Sequence, residues 1–168
     1  MTTTTFESTD VGHQELLRRI YTLRAEVWQH EGVPQSVFPS GQWSDIHDQH
    51  STHWAVFRGG ELVAAARLCT HDTTAQLPEG HLFTSPAAVP PIAAFNRLVV
   101  HPDSRGLGIA RALDDARIAR ARMLSCSAVY VTASFRPRIA ALRLFGFDIV
   151  NECDHPLFGP SVAMQLTL

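Results

Sequence analysis

The chain has 168 residues, of which 45% are hydrophobic and 18% charged, and its formal net charge is -2. This length suffices for one domain with its own core, so we expect a single domain over residues 1–168. The nearly neutral charge gives no general attraction to nucleic acid, and no apolar run approaches the roughly 18–20 residues of a membrane span. The N-terminus lacks the basic and apolar regions of a secretory signal, which favours a cytoplasmic protein.

Cysteine and histidine spacing indicates no metal site. Cys69, Cys126 and Cys153 are widely separated and form no CxxC pair, so we expect buried thiols. The run "DIHDQHSTH" places a histidine at every third residue, but a strand pattern begins within it. Since convergence on zinc would need a helix through all three histidines, we interpret the run as surface chain.

The first half of the chain predicts one helix and two strands. Leu16, Ile20, Leu23 and Val27 recur at helical spacing over residues 14–29. "THWAVFR" and "ELVAAARLCTH" predict strands joined by a Gly-Gly hairpin turn. Residues 72–91 are polar and dotted with proline, which is long for a connection within a domain, so we expect this loop to cover or shape a site.

The second half alternates strands and helices. "AAFNRLVV", "SAVYVTAS", "FDIVNEC" and "SVAMQLTL" predict strands, and "RPRIAALRLF" predicts a short helix. The helix after Gly108 has a predicted apolar face of Ile109, Ala112, Leu113, Ala116, Ala119 and Met123. A mixed α/β sheet with helices packed on it is the expected result.

The segment "RGLGIARA" joins a strand to a helix and contains two glycines. All fourteen basic residues are arginine, and nine of them lie between Arg97 and Arg143, around this segment. A helix start presents unpaired N–H groups and attracts anions, and glycine lets a phosphate approach the main chain. On these residues alone, a tight turn that needs positive φ remains an alternative.

Two other phosphate-binding motifs are excluded at this segment. A P-loop requires a lysine, and the chain has none. A dinucleotide-binding fingerprint requires a small residue where Arg111 stands, and an acidic residue about 20 positions later, where the chain has "SCSAVYV".

The longer segment "RLVVHPDSRGLGIARAL" resembles the acyl-CoA-binding signature of the GNAT superfamily of N-acyltransferases. In that signature a strand ending in V-x-P precedes [QR]-x-x-G-x-[GA] at a helix start, and Arg105, Gly108 and Ala110 occupy its three defined positions. The order of elements agrees over nearly the whole chain. The resemblance implies an α/β (α+β) fold with a mixed, mostly antiparallel central sheet of six or seven strands flanked by about four helices.

The resemblance also implies acetyl-CoA or another acyl-CoA as co-substrate. Main-chain groups on the strand would pair with the pantetheine amides, and the helix start would hold the pyrophosphate. The residues implied in cofactor binding are Leu98, Val99, Val100, Arg105, Gly106, Leu107, Gly108, Ile109, Ala110 and Arg111.

A finer resemblance is to the autoinducer-synthase-like branch, through "LRAEVW", "WSDIHDQHSTHWAVFRGGELVAAARL" and "NRLVV". The residues that match the layout of this branch are Arg24, Asp45, Asp48, Arg67 and Arg97. Its acidic residue three positions before Arg97 is Ala94 here, so homoserine lactone synthesis is not expected. We expect the acceptor pocket before residue 50 and in the 72–91 loop. Its predicted substrate-binding residues are Glu26, Trp28, Asp45 and Asp48, whose acidic members would suit a cationic acceptor.

Acyl transfer to an amine needs a deprotonated nucleophile, stabilisation of the oxyanion and a proton for the leaving thiolate. Many members of the superfamily supply this proton from a tyrosine, at the position where this chain has Leu142. The remaining candidate catalytic residues are Asn96, on the same side of its strand as Leu98, and Ser134, at the end of "VYVTAS".

We therefore expect an acyl-CoA-dependent N-acyltransferase that transfers an acyl group, most simply acetyl, to a small-molecule amine by direct attack in a ternary complex. Neither nucleic acid nor a membrane is an expected partner, and a homodimer is compatible with the sequence. Two alternatives remain. The chain could be a non-catalytic module that binds or senses CoA or acyl-CoA, or it could use the same scaffold for another reaction on an acyl thioester or natural-product intermediate.

Overall fold

A computed structural model describes residues 1–83 and 88–168. Within these residues the sheet has seven strands: β1 (Thr2–Glu7), β2 (Ser51–Arg58), β3 (Glu61–His71), β4 (Ile92–Val100), β5 (Ala128–Ala133), β6 (Asp148–His155) and β7 (Gly159–Thr167). Three α-helices accompany them: α1 (Gln14–His30), α2 (Ile109–Met123) and α3 (Arg136–Leu144).

The strand order is β1-β2-β3-β4-β5-β7-β6. β4 and β5 are parallel, with Ala93–Phe95 opposite Val129–Val131, whereas β1–β2, β2–β3, β5–β7 and β6–β7 are antiparallel. The predicted mixed, mostly antiparallel sheet is confirmed. The described residues hold three α-helices instead of about four, because glycines and prolines between α1 and β2 permit only short 3-10 turns there.

The chain divides into two compact units, each built from two segments. The first unit contains residues 1–69 and 97–114. Its core joins the apolar side of α1 to β1, β2, β3 and the end of β4 through Phe6, Leu17, Ile20, Leu23, Val27, Ala55, Ala65 and Val99. β1 was not predicted, since four consecutive threonines give no alternating pattern. It forms because its backbone pairs with β2 from Thr2↔Phe57 to Glu7↔Thr52.

The second unit contains residues 70–96 and 115–168. Its core includes Leu77, Phe83, Ile92, Ala94, Ala128, Tyr130 and Ala163. In the 72–91 loop, 3-10 turns at Thr74–Gln76 and Gly80–Leu82 place Leu77 and Phe83 in this core. The segment 84–87 lies outside the described residues. Whether the loop covers a site stays a prediction.

The buried face of α2 differs from the predicted one. Ala112, Ala119 and Met123 are exposed, while the buried residues are Ile109, Leu113, Asp114, Arg117, Ile118 and Ala121. The Arg117 guanidinium lies 4.2 Å from the centre of the Phe95 ring, and this cation–π contact favours its burial. A pattern based on apolar residues assigns such an arginine to solvent.

No helix among the described residues is long and apolar enough to cross a membrane.

Candidate active site

The start of α2 offers exposed main-chain groups for an anion. Gly106 and Gly108 have φ values of 76° and 75°, and a Cβ at either position would meet nothing within 4 Å. Helix-type bonding begins with Ala112 N–H, which donates to the Gly108 carbonyl. The preceding N–H groups have no partner within the helix, and they point toward its N-terminal end. The glycines thus leave open space where a pyrophosphate would approach, and the implied CoA fits this feature.

The side chain of Arg105 is engaged elsewhere. Its Nη2 lies 2.6 Å from Glu31 Oε1, and its Nε donates to the Val100 carbonyl at 3.2 Å. Glu31 directly follows α1, so this ion pair ties the end of α1 to the loop before α2. An anion at this loop would therefore be held mainly by backbone N–H groups.

A second feature of the first unit is a cluster of three arginines and two aspartates, here termed the arginine cluster: Arg24 from α1, Asp45 and Asp48 from the turn before β2, Arg67 from β3 and Arg97 from β4. Arg67 contacts both carboxylates, at 2.6 Å from Asp45 Oδ1 and 2.8 Å from Asp48 Oδ1. Arg24 lies 2.8 Å from Asp48 Oδ1, and Arg97 lies 2.6 Å from Asp45 Oδ2.

Both carboxylates of the arginine cluster are fully ionised at neutral pH. Burial alone would raise the pKa of each, but hydrogen bonds and charges from Arg67 and Arg97 hold the pKa of Asp45 well below its ordinary value. Arg24 and Arg67 do the same for the pKa of Asp48. Burial lowers the pKa of Arg24 to about 10, so this guanidinium also stays charged.

Aromatic side chains border the cluster at Arg97. The Arg97 guanidinium lies 3.8 Å from the centre of the Trp43 ring. Trp43 in turn contacts Trp28 at 5.7 Å and Phe38 at 5.2 Å between ring centres. Arg97 has φ of 55°, uncommon for a residue other than glycine, so the extended backbone of β4 is interrupted where its side chain turns to Asp45.

Two titratable neighbours of the arginine cluster are neutral. Burial, followed by the charge of Arg24, lowers the pKa of His53 to about 4. Burial and the charge of Asp48 raise the pKa of Tyr21 to about 12. Neither group adds charge to the cluster at pH 7.

The predicted substrate-binding residues occupy different environments. Asp45 and Asp48 meet in the arginine cluster, and Trp28 borders it through Trp43. Glu26 is exposed on α1, two residues from the fully buried Arg24, and does not join them. Asp48 is 1% exposed and its carboxylate already binds two arginines and the Asp45 N–H, so it has no free oxygen for a cationic acceptor.

The candidate catalytic residues lie in the second unit. Asn96 is partly exposed on β4. Ser134 Oγ lies 2.7 Å from Ser161 Oγ, and Ser161 donates its own proton to the Gly159 carbonyl at 2.8 Å. Ser134 must then donate to Ser161, which leaves its lone pairs free to accept. Leu142, at the position where the resemblance implies a tyrosine in many members, is fully buried in α3.

No group of three metal-binding side chains is found in residues 1–83 and 88–168. In the "DIHDQHSTH" run, Asp45 and Asp48 bind arginines, and His53 is a buried residue of β2 whose Nε2 lies 3.3 Å from the Asp48 carbonyl.

Two residues of the site were not singled out from the sequence. Trp43 stands two positions before Asp45, a spacing that could have indicated a stacking partner. Glu31 gave no sequence signal, because its partner Arg105 is distant along the chain.

Residues 14–147 match the model of the acetyltransferase (GNAT) family. A search of curated proteins finds no match.

Several solved structures share the fold. Escherichia coli ElaA is 17% identical with a TM-score of 0.72, and the match covers 98% of this chain and 99% of that one. An acyl-CoA N-acyltransferase from Pseudomonas aeruginosa is 22% identical with a TM-score of 0.67, covering 98% and 97%. The AHL synthase LasI is 17% identical with a TM-score of 0.70, covering 99% and 89%. With the family match over most of the sequence, the chain belongs to the acetyltransferase (GNAT) family.

Proposed function

We propose that the protein transfers an acyl group, acetyl in the simplest case, from acyl-CoA to the amino group of a small molecule by direct attack. The observation that carries this proposal is the start of α2, where Gly106 and Gly108 leave open space beside the first N–H groups of the helix. Such groups have no acceptor within the helix itself. A helix start of this kind favours a pyrophosphate. Bound acyl-CoA would supply an activated acyl thioester.

Under this proposal the chain contributes mainly binding and orientation. The N–H groups near Gly108 would hold the pyrophosphate, and the main chain of Leu98–Val100 would pair with the amides of the arm. Leu142 cannot donate a proton, so positioning the amine against the thioester would account for most of the acceleration. Asn96 and Ser134 stay as candidate polar groups for the developing oxyanion and the leaving thiolate.

A pair of glycine variants tests the pyrophosphate site. Gly108→Ala places a methyl group beside the N–H groups and should raise the Kd for CoA about tenfold. Gly60→Ala, in the β2–β3 turn, is the matched control because Gly60 also has positive φ and open space around it. Each variant should lose about 1 kcal/mol of stability. Isothermal titration with CoA measures Kd, and equal Kd values for both variants would contradict the site.

Thiol release separates catalysis from mere binding. Acetyl-CoA and octanoyl-CoA are incubated with a panel of primary amines, and free CoA thiol is followed over time. The proposal expects release that depends on an amine. Stabilisation by CoA with no release for any amine would favour the sensor alternative, and no change in Tm at saturating CoA would exclude the cofactor.

A further inference from the structure

The arginine cluster carries an unbalanced charge. Three guanidinium groups face two carboxylates in the set of contacts described above. His53, with a pKa of about 4, and Tyr21, with a pKa of about 12, are both neutral at pH 7 and leave this balance unchanged. The cluster therefore holds one positive charge more than it can neutralise, although Arg24 and Arg67 are fully buried.

The cluster is also short of hydrogen-bond acceptors. Asp45 Oδ1 accepts from Arg67 and the His47 N–H, and Asp45 Oδ2 accepts from Arg97 and Arg67. Asp48 Oδ1 and Oδ2 are likewise occupied. Nevertheless, the buried Nε and Nη2 of Arg24 have no partner in the part of the chain that the structure describes. Unpaired buried donors are costly, and no carboxylate oxygen of the cluster is left to accept from them or from a further donor.

Arg97 is the member of the cluster that an external anion can reach. Its side chain is 20% exposed, whereas those of Arg24 and Arg67 are 0% exposed. Asp45 Oδ2 takes the edge formed by Nε and Nη2. Nη1 has no bond to any described residue, so the end of the fork formed by Nη1 and Nη2 can take a further acceptor. Trp43 covers one face of the guanidinium and fixes its plane.

We propose that the acyl acceptor carries a carboxylate, which binds the Nη1–Nη2 end of Arg97, so that the acceptor is an amino acid or a close analogue. This inference rests on the proposed acyltransferase function. A carboxylate matches a guanidinium edge through two parallel hydrogen bonds, and its single negative charge balances the single surplus positive charge. A phosphate dianion would reverse the imbalance.

The position of Arg97 in the chain fits this role. It directly precedes Leu98–Val100, the segment expected to pair with the arm of acyl-CoA, and one strand residue advances the chain by about 3.3 Å. The amino group of an amino acid is only a few bonds from its carboxylate. A carboxylate bound at Arg97 would therefore bring this amino group close to the same segment. The acidic residues of the sequence led us to expect a cationic acceptor. The inference replaces it with an acceptor whose carboxylate is bound by Arg97.

Matched acceptors test the inference. L-phenylalanine is compared with phenylalaninamide and phenethylamine, and L-leucine with leucinamide and isopentylamine, by thiol release from acetyl-CoA and octanoyl-CoA. The carboxylate-bearing member of each set should have a kcat/KM at least about tenfold higher. If the amide and the decarboxylated amine react as efficiently as the amino acid, the carboxylate site is wrong while the proposed function stands.

Variants of Arg97 locate the contact. Arg97→Met should lower kcat/KM for the amino acid about tenfold or more, through a higher KM. The KM for phenethylamine should stay within about twofold of the native value. The preference for the amino acid over the amine should therefore disappear. Arg97→Lys should restore it only partly, since lysine cannot form two parallel bonds. Arg58→Met, at the exposed end of β2, is the control and should behave like the native chain. Unchanged discrimination in Arg97→Met would overturn the assignment.

A binding measurement decides the inference if no amine is acylated, in which case the proposed function has failed. N-acetylphenylalanine and its amide are then compared for their shift of Tm in the presence of CoA. A larger shift with the acid, lost in Arg97→Met, supports a carboxylate site without turnover. Equal shifts in the native chain reject it.

Discussion

His53 shows how burial of a single side chain makes stability depend on pH. The residue is 0% exposed in β2, its ring stacks on Phe6, and its Nδ1 has no partner among the described residues. A protonated ring would be buried near the positive charge of Arg24, so the pKa of His53 falls from 6.5 to about 4. The unfolded chain therefore binds this proton more readily than the folded one.

This difference predicts a loss of stability on acidification. Above pH 6.5 the imidazole is neutral in both states and the full stability is present. Between about pH 6.5 and pH 4 the unfolded state gains the proton first, which costs the folded state about 3 kcal/mol. Urea unfolding at pH 7.0 and pH 4.5 should show a smaller drop in His53→Gln than in the native chain. His50→Gln, at an exposed position of the same run, should keep the native drop. A native-size drop in His53→Gln would refute the assignment.

The three α-helices end in the same hydrogen-bonded turn, although the residues that form it differ. The N–H of Val33 bonds to the Trp28 carbonyl, that of Cys126 to Ala121, and that of Phe147 to Leu142. The preceding residue in each case has a left-handed backbone, and its N–H also bonds back into the helix. Gly32 and Gly146 occupy this position after α1 and α3, whereas α2 has Ser125 with φ of 57°. The Cβ of serine makes this conformation unfavourable.

Ser125→Gly should therefore stabilise the protein, by about 0.5–1 kcal/mol. The reciprocal change Gly32→Ser is the matched control, since Gly32 holds the same position and a Cβ there would meet nothing within 4 Å. It should destabilise by a similar amount. Free energies of unfolding from urea titration measure both effects. A loss of stability in Ser125→Gly would mean that the hydroxyl contributes more than the backbone strain costs.

The whole chain is two compact units whose segments alternate along the sequence, with divisions after Cys69, Asn96 and Asp114. β3, β4 and α2 each contain one of these divisions. Since an element that spans both units cannot unfold in only one of them, we expect the single domain predicted from the sequence to unfold in one step.

The positions of its reporter groups make this expectation measurable. Trp28, Trp43 and Trp54 all lie in the first unit, while the buried thiol of Cys126 lies in the second. Tryptophan fluorescence and alkylation of Cys126 should therefore show the same urea midpoint, equal to that from far-ultraviolet circular dichroism. The prediction of buried thiols is wrong for Cys153, which is partly exposed. Cys69→Ser in the first unit and Cys153→Ser in the second leave Cys126 as the one thiol to be labelled. Separate midpoints would show that the units unfold independently.

The sequence was sufficient for most elements, because apolar periodicity and glycine placement are local properties, while the CoA-binding role of the segment before and at the start of α2 stays a prediction. The Gly59–Gly60 hairpin and the helix after Gly108 are examples. The sequence did not predict β1, because the pairing of β1 with β2 is not local. It also did not predict the burial of Arg117, because this burial depends on the contact with Phe95. The arginine cluster was indicated only by resemblance, and its surplus charge could be counted only once the five side chains were placed together.

The choice of guanidinium in the arginine cluster has a chemical consequence. An enzyme that handles acyl thioesters risks modifying itself wherever it holds a neutral primary amine. A buried lysine loses its proton readily and becomes such a nucleophile, whereas Arg24 keeps its charge with a pKa of about 10. With no lysine anywhere in the sequence, the chain can present strong positive charge to a substrate without offering a side-chain amine for self-acylation.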